Sequence, residues 1–348
     1  MTYVLTYTTL LLAGLISTSR PSARRAVAAI SLAFLFVFVA FRFEVGCDWF
    51  GYFGNFELQR YDSLENAFLR KDPAFWVASH ILHQFGYDYP YINILCAIPF
   101  FWGLAHMARR QPDPLGFVIL SFPVLIINMP MSALRQASAI GLVCIAFMAF
   151  RKRKLIRFAA FVIAAGAFHL SSLAFLALAP FIKYRLSRYS IAASVILVLP
   201  GAYFVLSDLF SIYADRYVDT GIDAAGAIYR TAMLAVTAGL YMLFLQKPFK
   251  QRFPEDYQLV HIGAWIMLAI LPVVFVSTVI ADRFGYYVTP IQLMILARIP
   301  QLASGPSTTL LSASPYAALG LVLMVWTNYS THFQKCYVPY QTWLSWDY

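Results

Sequence analysis

The chain has 348 residues, of which 61% are hydrophobic and 12% charged, with a formal net charge of +10. Ordinary soluble domains carry about 25% charged residues, so a water-soluble globule of this size would lack the polar surface to cover itself. The basic residues sit in short clusters between apolar blocks, which accounts for the positive charge without nucleic acid. The four cysteines (Cys47, Cys96, Cys144, Cys336) lack metal-like spacing, which argues against zinc.

Blocks such as 26–41, 133–150, 190–207 and 258–280 are continuously apolar and close to the ~17–25 residues that cross a bilayer as a helix. They do not alternate, as strands of a membrane barrel would. The expected fold is all-α: a single polytopic domain over 1–348 with about ten spans, give or take two, plus short interfacial or re-entrant helices.

The first block follows no basic leader and reads as span one, about 2–18, not as a removed signal. Five basic clusters then mark cytoplasmic loops: Arg20, Arg24 and Arg25; Arg109 and Arg110; Arg151 to Lys154 with Arg157; Lys183, Arg185 and Arg188; Lys247, Lys250 and Arg252. Span 26–41 therefore delivers 42–72 to the outer face, where Glu44, Asp48, Glu57, Asp62, Glu65 and Asp72 give an acidic bias. The aspartate-rich loop 208–227 and the tail 328–348 are likewise assigned outside.

Residues 73–86 are too short and polar to span comfortably, so they read as an interfacial or re-entrant helix ahead of the span 90–108. Spans 114–129 and 133–150 follow. Residues 158–182 could cross once, yet both flanks are basic. Two half-length helices that enter and return satisfy the charge rule, with "FHLSS" at the apex and His169 near mid-membrane facing a cavity. The alternative is a single crossing in which His169 merely bonds a neighbouring helix. Spans 190–207, 228–246, 258–280, 284–300 and 308–327 complete the set.

Arg42, Arg135, Arg230 and Arg283 come from four different spans and fall at a similar depth on the outer side, against the charge bias. Guanidinium forks match phosphate oxygens, so a diphosphate at the membrane boundary is the expected ligand. The competing reading is snorkelling to lipid headgroups, or local pairing of Arg283 with Asp282 and Arg42 with Glu44.

These residues fall in an ordered set of motifs: Arg42, Gly46, Asp48 and Tyr52; Arg135, Gln136 and Ala139; Phe168, His169 and Ser171; and Asp282, Arg283 and Tyr287, or Tyr286 with a one-residue shift. With the tail "YVPYQTW", the set resembles the EpsG-type, Wzy-like family of bacterial polysaccharide polymerases over most of the chain. A GT-C-like helix arrangement is compatible with the resemblance. It implies a multi-pass protein of the bacterial inner membrane with its site facing the periplasm or exterior, in O-antigen or exopolysaccharide assembly. Donor and acceptor would be glycans linked to undecaprenyl diphosphate, with membrane lipids around them and a chain-length regulator as a candidate partner.

In such a reaction an acceptor hydroxyl displaces the lipid diphosphate, and arginines stabilise the charge that develops on it. No cofactor and no metal are expected. Asp48 and His169 are the candidate general bases, with Asp48 slightly favoured. Trp49, Tyr52, Gln136, Asp282, Tyr286 and Tyr287 are candidate substrate-binding residues. The aromatics of 49–61 could stack on sugars or simply anchor at the interface. Cys47 and Trp49 stand where the family more often has small hydroxylated residues, which leaves sugar specificity open. An O-antigen-type ligase, a lipid-linked sugar flippase and a membrane O-acyltransferase are the alternatives from outside the polymerases.

Overall fold

The computed structural model describes residues 1–17, 21–183, 187–190, 192–197, 226–302 and 308–345. Among them the regular structure is helical. In chain order come α1 (Thr2–Ile16), α2 (Pro21–Ala40), α3 (Trp49–Leu58), α4 (Leu64–Leu69), α5 (Pro73–Gln84), α6 (Pro90–Ala108) and α7 (Pro114–Ser121). A π-helical turn, Phe122–Ile126, extends α7. Then follow α8 (Leu134–Arg151), α9 (Leu155–Phe168), α10 (Ala179–Lys183), α11 (Ala227–Leu240), α12 (Gln246–Arg252), α13 (Pro254–Val273) and α14 (Thr278–Leu296). Helices α15 (Ile299–Leu302), α16 (Thr308–Tyr329) and α17 (Thr331–Tyr337) close the chain.

Among the described residues, six helical runs are long and apolar enough to cross a bilayer, and several shorter helices are also apolar. Their outward faces match that solvent. On α2, Ile30, Phe34 and Val37 form an exposed stripe at helical spacing, which water would penalise and lipid would not. The expected span 190–207 lies largely, and the loop 208–227 almost wholly, outside the described residues.

Several helix starts are visible in the sequence chemistry. Asp113 precedes Pro114, and its carboxylate accepts from the Gly116 N–H at 3.0 Å. Ser63 and Ser330 cap α4 and α17 in the same way. One expected boundary is corrected here. The span 258–280 divides, because α13 ends at Val273 and Ser277 accepts from the Ile280 N–H at 3.3 Å to start a new helix. Asp282 and Arg283 therefore lie in the early turns of α14, not in a loop after the previous span.

The chain forms two compact units, residues 1–141 with 293–348, and residues 142–292. In the first unit, Arg24 forks onto Asp113 at 2.7 and 2.6 Å and donates to the Gly14 carbonyl at 2.8 Å. Arg298, fully buried, donates to Gln111 at 3.1 Å. The basic ends of α2 and α6 and the end of α14 thus share one face of the first unit. At the other end of α2 lie residues 41–47, the 129–132 turn and the C-terminal segment. Between these ends α6 and α8 touch backbone to backbone, since a Cβ on Gly103 would overlap the Gly141 carbonyl.

In the second unit, Arg151 pairs with Glu255 and Asp256, both at 2.7 Å. Gln258, one turn further along α13, donates to the Phe181 carbonyl at 2.6 Å. Both feet of the segment 155–183 therefore stand at the same end of α13. The helix breaks at His169, and the 3-10 segment Leu170–Leu178 returns alongside α9, with Leu173 against Gly166. The segment therefore folds as a hairpin with His169 at its bend. Residues 73–86 likewise form a short helix, α5, packed on α4 and α6.

Candidate functional site

The first unit gathers one cluster of the expected residues. Arg135 sits in the first turn of α8, and its Nη1 donates to Asp72 at 3.0 Å. Its guanidinium lies 5.8 Å from the centres of both the Tyr52 and Phe75 rings and acts electrostatically on the Tyr52 phenol. The Asp72 side chain is 5% exposed and that of Arg135 32%, so a buried carboxylate aims a partly exposed cation. Asp72 holds a left-handed backbone, φ 62. Pro73 follows it and disfavours ordinary helical geometry, and aspartate tolerates the left-handed region better than most residues.

Asp48 is exposed at the start of α3 and lies close enough to act electrostatically on both Arg135 and Tyr52. Burial raises the Tyr52 phenol above its ordinary range, and Arg135 works against that shift. Tyr52 is therefore a neutral hydroxyl at physiological pH, able to donate to Asp48 or to a ligand oxygen. Asp48, Tyr52, Asp72 and Arg135 form one constellation of two carboxylates, a phenol and a guanidinium.

Arg42 is engaged by the backbone around it. It is fully buried, and it donates to the carbonyls of Val39 at 2.8 Å and of Val45 and Met131 at 3.0 Å each. A side chain holding three backbone carbonyls is a clamp for the loop. It pairs with backbone and not with Glu44. Gln136 is buried beside Arg135. The Trp49 ring packs edge-on against Phe50 at 5.7 Å. Of the neighbouring aromatics, Phe56 is core, whereas Phe50 and Tyr61 face outward as interfacial anchors do.

The second unit gathers the rest around α14. Arg230, at the start of α11, donates to Asp282 at 2.6 Å and lies 5.6 Å over the Tyr286 ring. Asp282 and Tyr286 are one helical turn apart, so a single face of α14 receives the guanidinium. Asp282 thus pairs with Arg230, a partner the local reading of Arg283 with Asp282 did not offer, and Arg283 is exposed. His169 Nδ1 lies 2.7 Å from Ser171 Oγ, which donates onward to the Tyr287 hydroxyl at 3.3 Å. Tyr287 is halfway along α14, which places the hairpin apex at mid-helix depth.

Sequence reasoning missed Asp72 as a site residue, although Asp-Pro ahead of an apolar helix is a start signal. It also left Cys47 and Cys336 unpaired. They form a disulfide across 289 residues, and no spacing rule reaches that far. Cys96 and Cys144 are free and buried, as small core residues. Among the described residues, Cys47, His332 and Cys336 are the one group with metal-ligand chemistry, their ligand atoms lying within 4.8 Å of one another. Thiolates bind metal and disulfide sulfurs do not, so the bridged form leaves only the imidazole.

Fold and clusters together define a polytopic all-α membrane protein carrying arginine–carboxylate pairs beside tyrosine hydroxyls. The EpsG family model matches residues 25–342, and the chain belongs to that family. No curated protein and no solved structure matches the chain. Membership suggests a polysaccharide-polymerase-type, glycosyltransferase-like function.

Proposed function

We propose that the protein is a polysaccharide polymerase of the bacterial inner membrane. It moves a glycan from undecaprenyl diphosphate to the terminal sugar of a second lipid-linked repeat unit at the outer face. The observation that carries this reading is the constellation of Arg135, Asp72, Tyr52 and Asp48 at the outer end of α8. Arg135, aimed by Asp72, takes the phosphate oxygens and is worth most when the departing diphosphate gains charge. Asp48 removes the proton from the attacking hydroxyl. Within the second unit, taken by itself, Arg230 and Arg283 bind phosphate, with Asp282 and Tyr286 orienting Arg230. His169, backed by Ser171 and Tyr287, is the second candidate base, and Trp49 and Gln136 bind sugar. The mechanism asks for no metal and no cofactor.

The disulfide supports the outward orientation, because such bonds persist in oxidising compartments and are rare in the cytosol. It lies at the end of the first unit opposite the basic loops, where topology puts the exterior.

The test is a glycan-length assay in a strain lacking the gene, complemented with wild type, Arg135→Ala, Asp48→Asn, His169→Ala and Arg283→Ala at matched membrane levels. The expected result is a ladder restored by wild type and collapsed to one repeat unit by Arg135→Ala and Asp48→Asn. A normal ladder without the gene refutes the polymerase. Long lipid-linked glycan that is never transferred moves the assignment to a ligase.

A further inference from the structure

The C-terminal segment 330–345 is laced onto the loop that carries Asp48. Phe43 N–H donates to the Gln341 carbonyl at 2.9 Å, Gly46 N–H to the Cys336 carbonyl at 2.7 Å, and Trp343 N–H to the Phe41 carbonyl at 3.1 Å. Arg42 and Thr342 form an antiparallel bridge. The Tyr340 ring stacks on Phe38 at 4.4 Å, and its hydroxyl donates to the Phe38 carbonyl at 2.8 Å. The Cys47–Cys336 bond then ties the last residue before Asp48 to this strap.

On the other side of the loop, Arg42 grips the Met131 carbonyl, and Gly46 runs at φ +108 so close to that carbonyl that a Cβ would overlap it. The Met131 turn leads in four residues to Arg135. The loop is held from both sides, and what it presents next is Asp48.

We propose that Cys47 and Cys336 are positioning residues for Asp48. The disulfide fastens the C-terminal strap so that the carboxylate is held at a fixed place beside Arg135 and Tyr52. This rests on Asp48 acting as the base. His332 Nε2, 2.9 Å from the Cys47 sulfur, is placed to donate a proton to the thiolate that leaves when the bond is opened. A dithiol reagent opens it by exchange. Two electrons and two protons pass to the protein, giving two thiols, and the reagent is oxidised to its own disulfide. The Asp48 carboxylate then has the freedom of a loop end, and misplacement of about 1 Å can cost a reaction up to a hundredfold.

The experiment uses full-length protein in native membranes and, as probe, lipid-linked repeat units extracted from the deletion strain. Maleimide labelling counts thiols before and after dithiothreitol. Amide exchange reads Phe43, Gly46 and Trp343, and polymerisation is resolved into kcat and KM. Reduced wild type is then re-bridged with dibromobimane, which fluoresces once both thiols are alkylated. The expected result is no labelling of Cys47 or Cys336 before reduction. On reduction the three amides lose protection and kcat falls roughly tenfold with KM little changed. Both recover on re-bridging.

Labelling of both cysteines without reductant, or stoichiometric zinc in the isolated protein, overturns the strap. Loss of amide protection with kcat unchanged, in protein that Asp48→Asn inactivates, overturns the positioning role while leaving the proposed function standing. Full activity of Asp48→Asn removes the base assignment and the positioning role with it. Thiol and exchange readouts that come out as expected in a protein showing no polymerisation at all mark failure of the proposed function, with the strap intact.

Discussion

Replacing Asp72 separates charge from backbone strain at Arg135. Two unit charges 3.0 Å apart interact by about 5 kcal/mol at an effective dielectric of ~20. The Arg135 side chain is 32% exposed, so solvent screens it. The net worth of the pair is then about 1.5–3 kcal/mol, the range of a charge-assisted hydrogen bond, below that of a fully buried pair. Asp72→Asn keeps an acceptor and tolerates φ 62, so it isolates the charge and destabilises by about 1–2 kcal/mol. Asp72→Ala adds about 1–2 kcal/mol of left-handed strain. A double-mutant cycle with Arg135→Gln, read by thermal unfolding in detergent, should give a coupling energy of about 1.5–3 kcal/mol. Because Asp72→Asn leaves the Arg135 charge uncompensated but less well aimed, kcat should fall while KM holds or drops. Additivity in the cycle, or a rise in KM at unchanged kcat, refutes the reasoning.

Gly46→Ala puts a Cβ into the Met131 carbonyl at φ +108 and should destabilise by about 2–4 kcal/mol; a thermal midpoint equal to wild type would contradict the close approach. Arg42→Lys keeps the charge but loses the fork over three carbonyls, two of them 89 and 3 residues away in sequence. Each abandoned buried carbonyl costs about 1–3 kcal/mol, so membrane levels should drop, and normal levels with lost glycan binding would make Arg42 a ligand residue and not a clamp. Asp282→Asn should lower the ladder as Arg230→Gln does, and the double variant should be no worse than either, since both remove one ion pair; strictly additive losses would show that the two act separately.

How much of this was legible beforehand follows from the range of the forces concerned. Bilayer thickness and the cost of unpaired backbone in lipid act on every residue of a span, so composition alone dictated helices, and α6 at Pro90–Ala108 falls where the apolar block does. Charge bias acts over whole loops. It led to the expectation that the segment 155–183 turns back on itself, and Arg151, Gln258 and Phe181 show the two feet together at one end of α13. Caps are local, so Asp113 before Pro114 reads directly as a helix start.

Pairing is another matter. That Arg42 clamps backbone while Arg135 is aimed by Asp72 depends on which carbonyls and carboxylates folding brings within 3 Å. The two arginines look alike in sequence, each at the outer end of an apolar run. The same holds for Asp282, which takes Arg230 from 52 residues away over its sequence neighbour Arg283. Cys47 and Cys336 are the furthest case. A bond across 289 residues has no periodicity to announce it and forms because the tail lies along residues 41–46. The sequence by itself determined the solvent and the helices, because those follow from sums over many residues. Which charge meets which partner was decided only in three dimensions, because short-range directional contacts carry no signature along the chain.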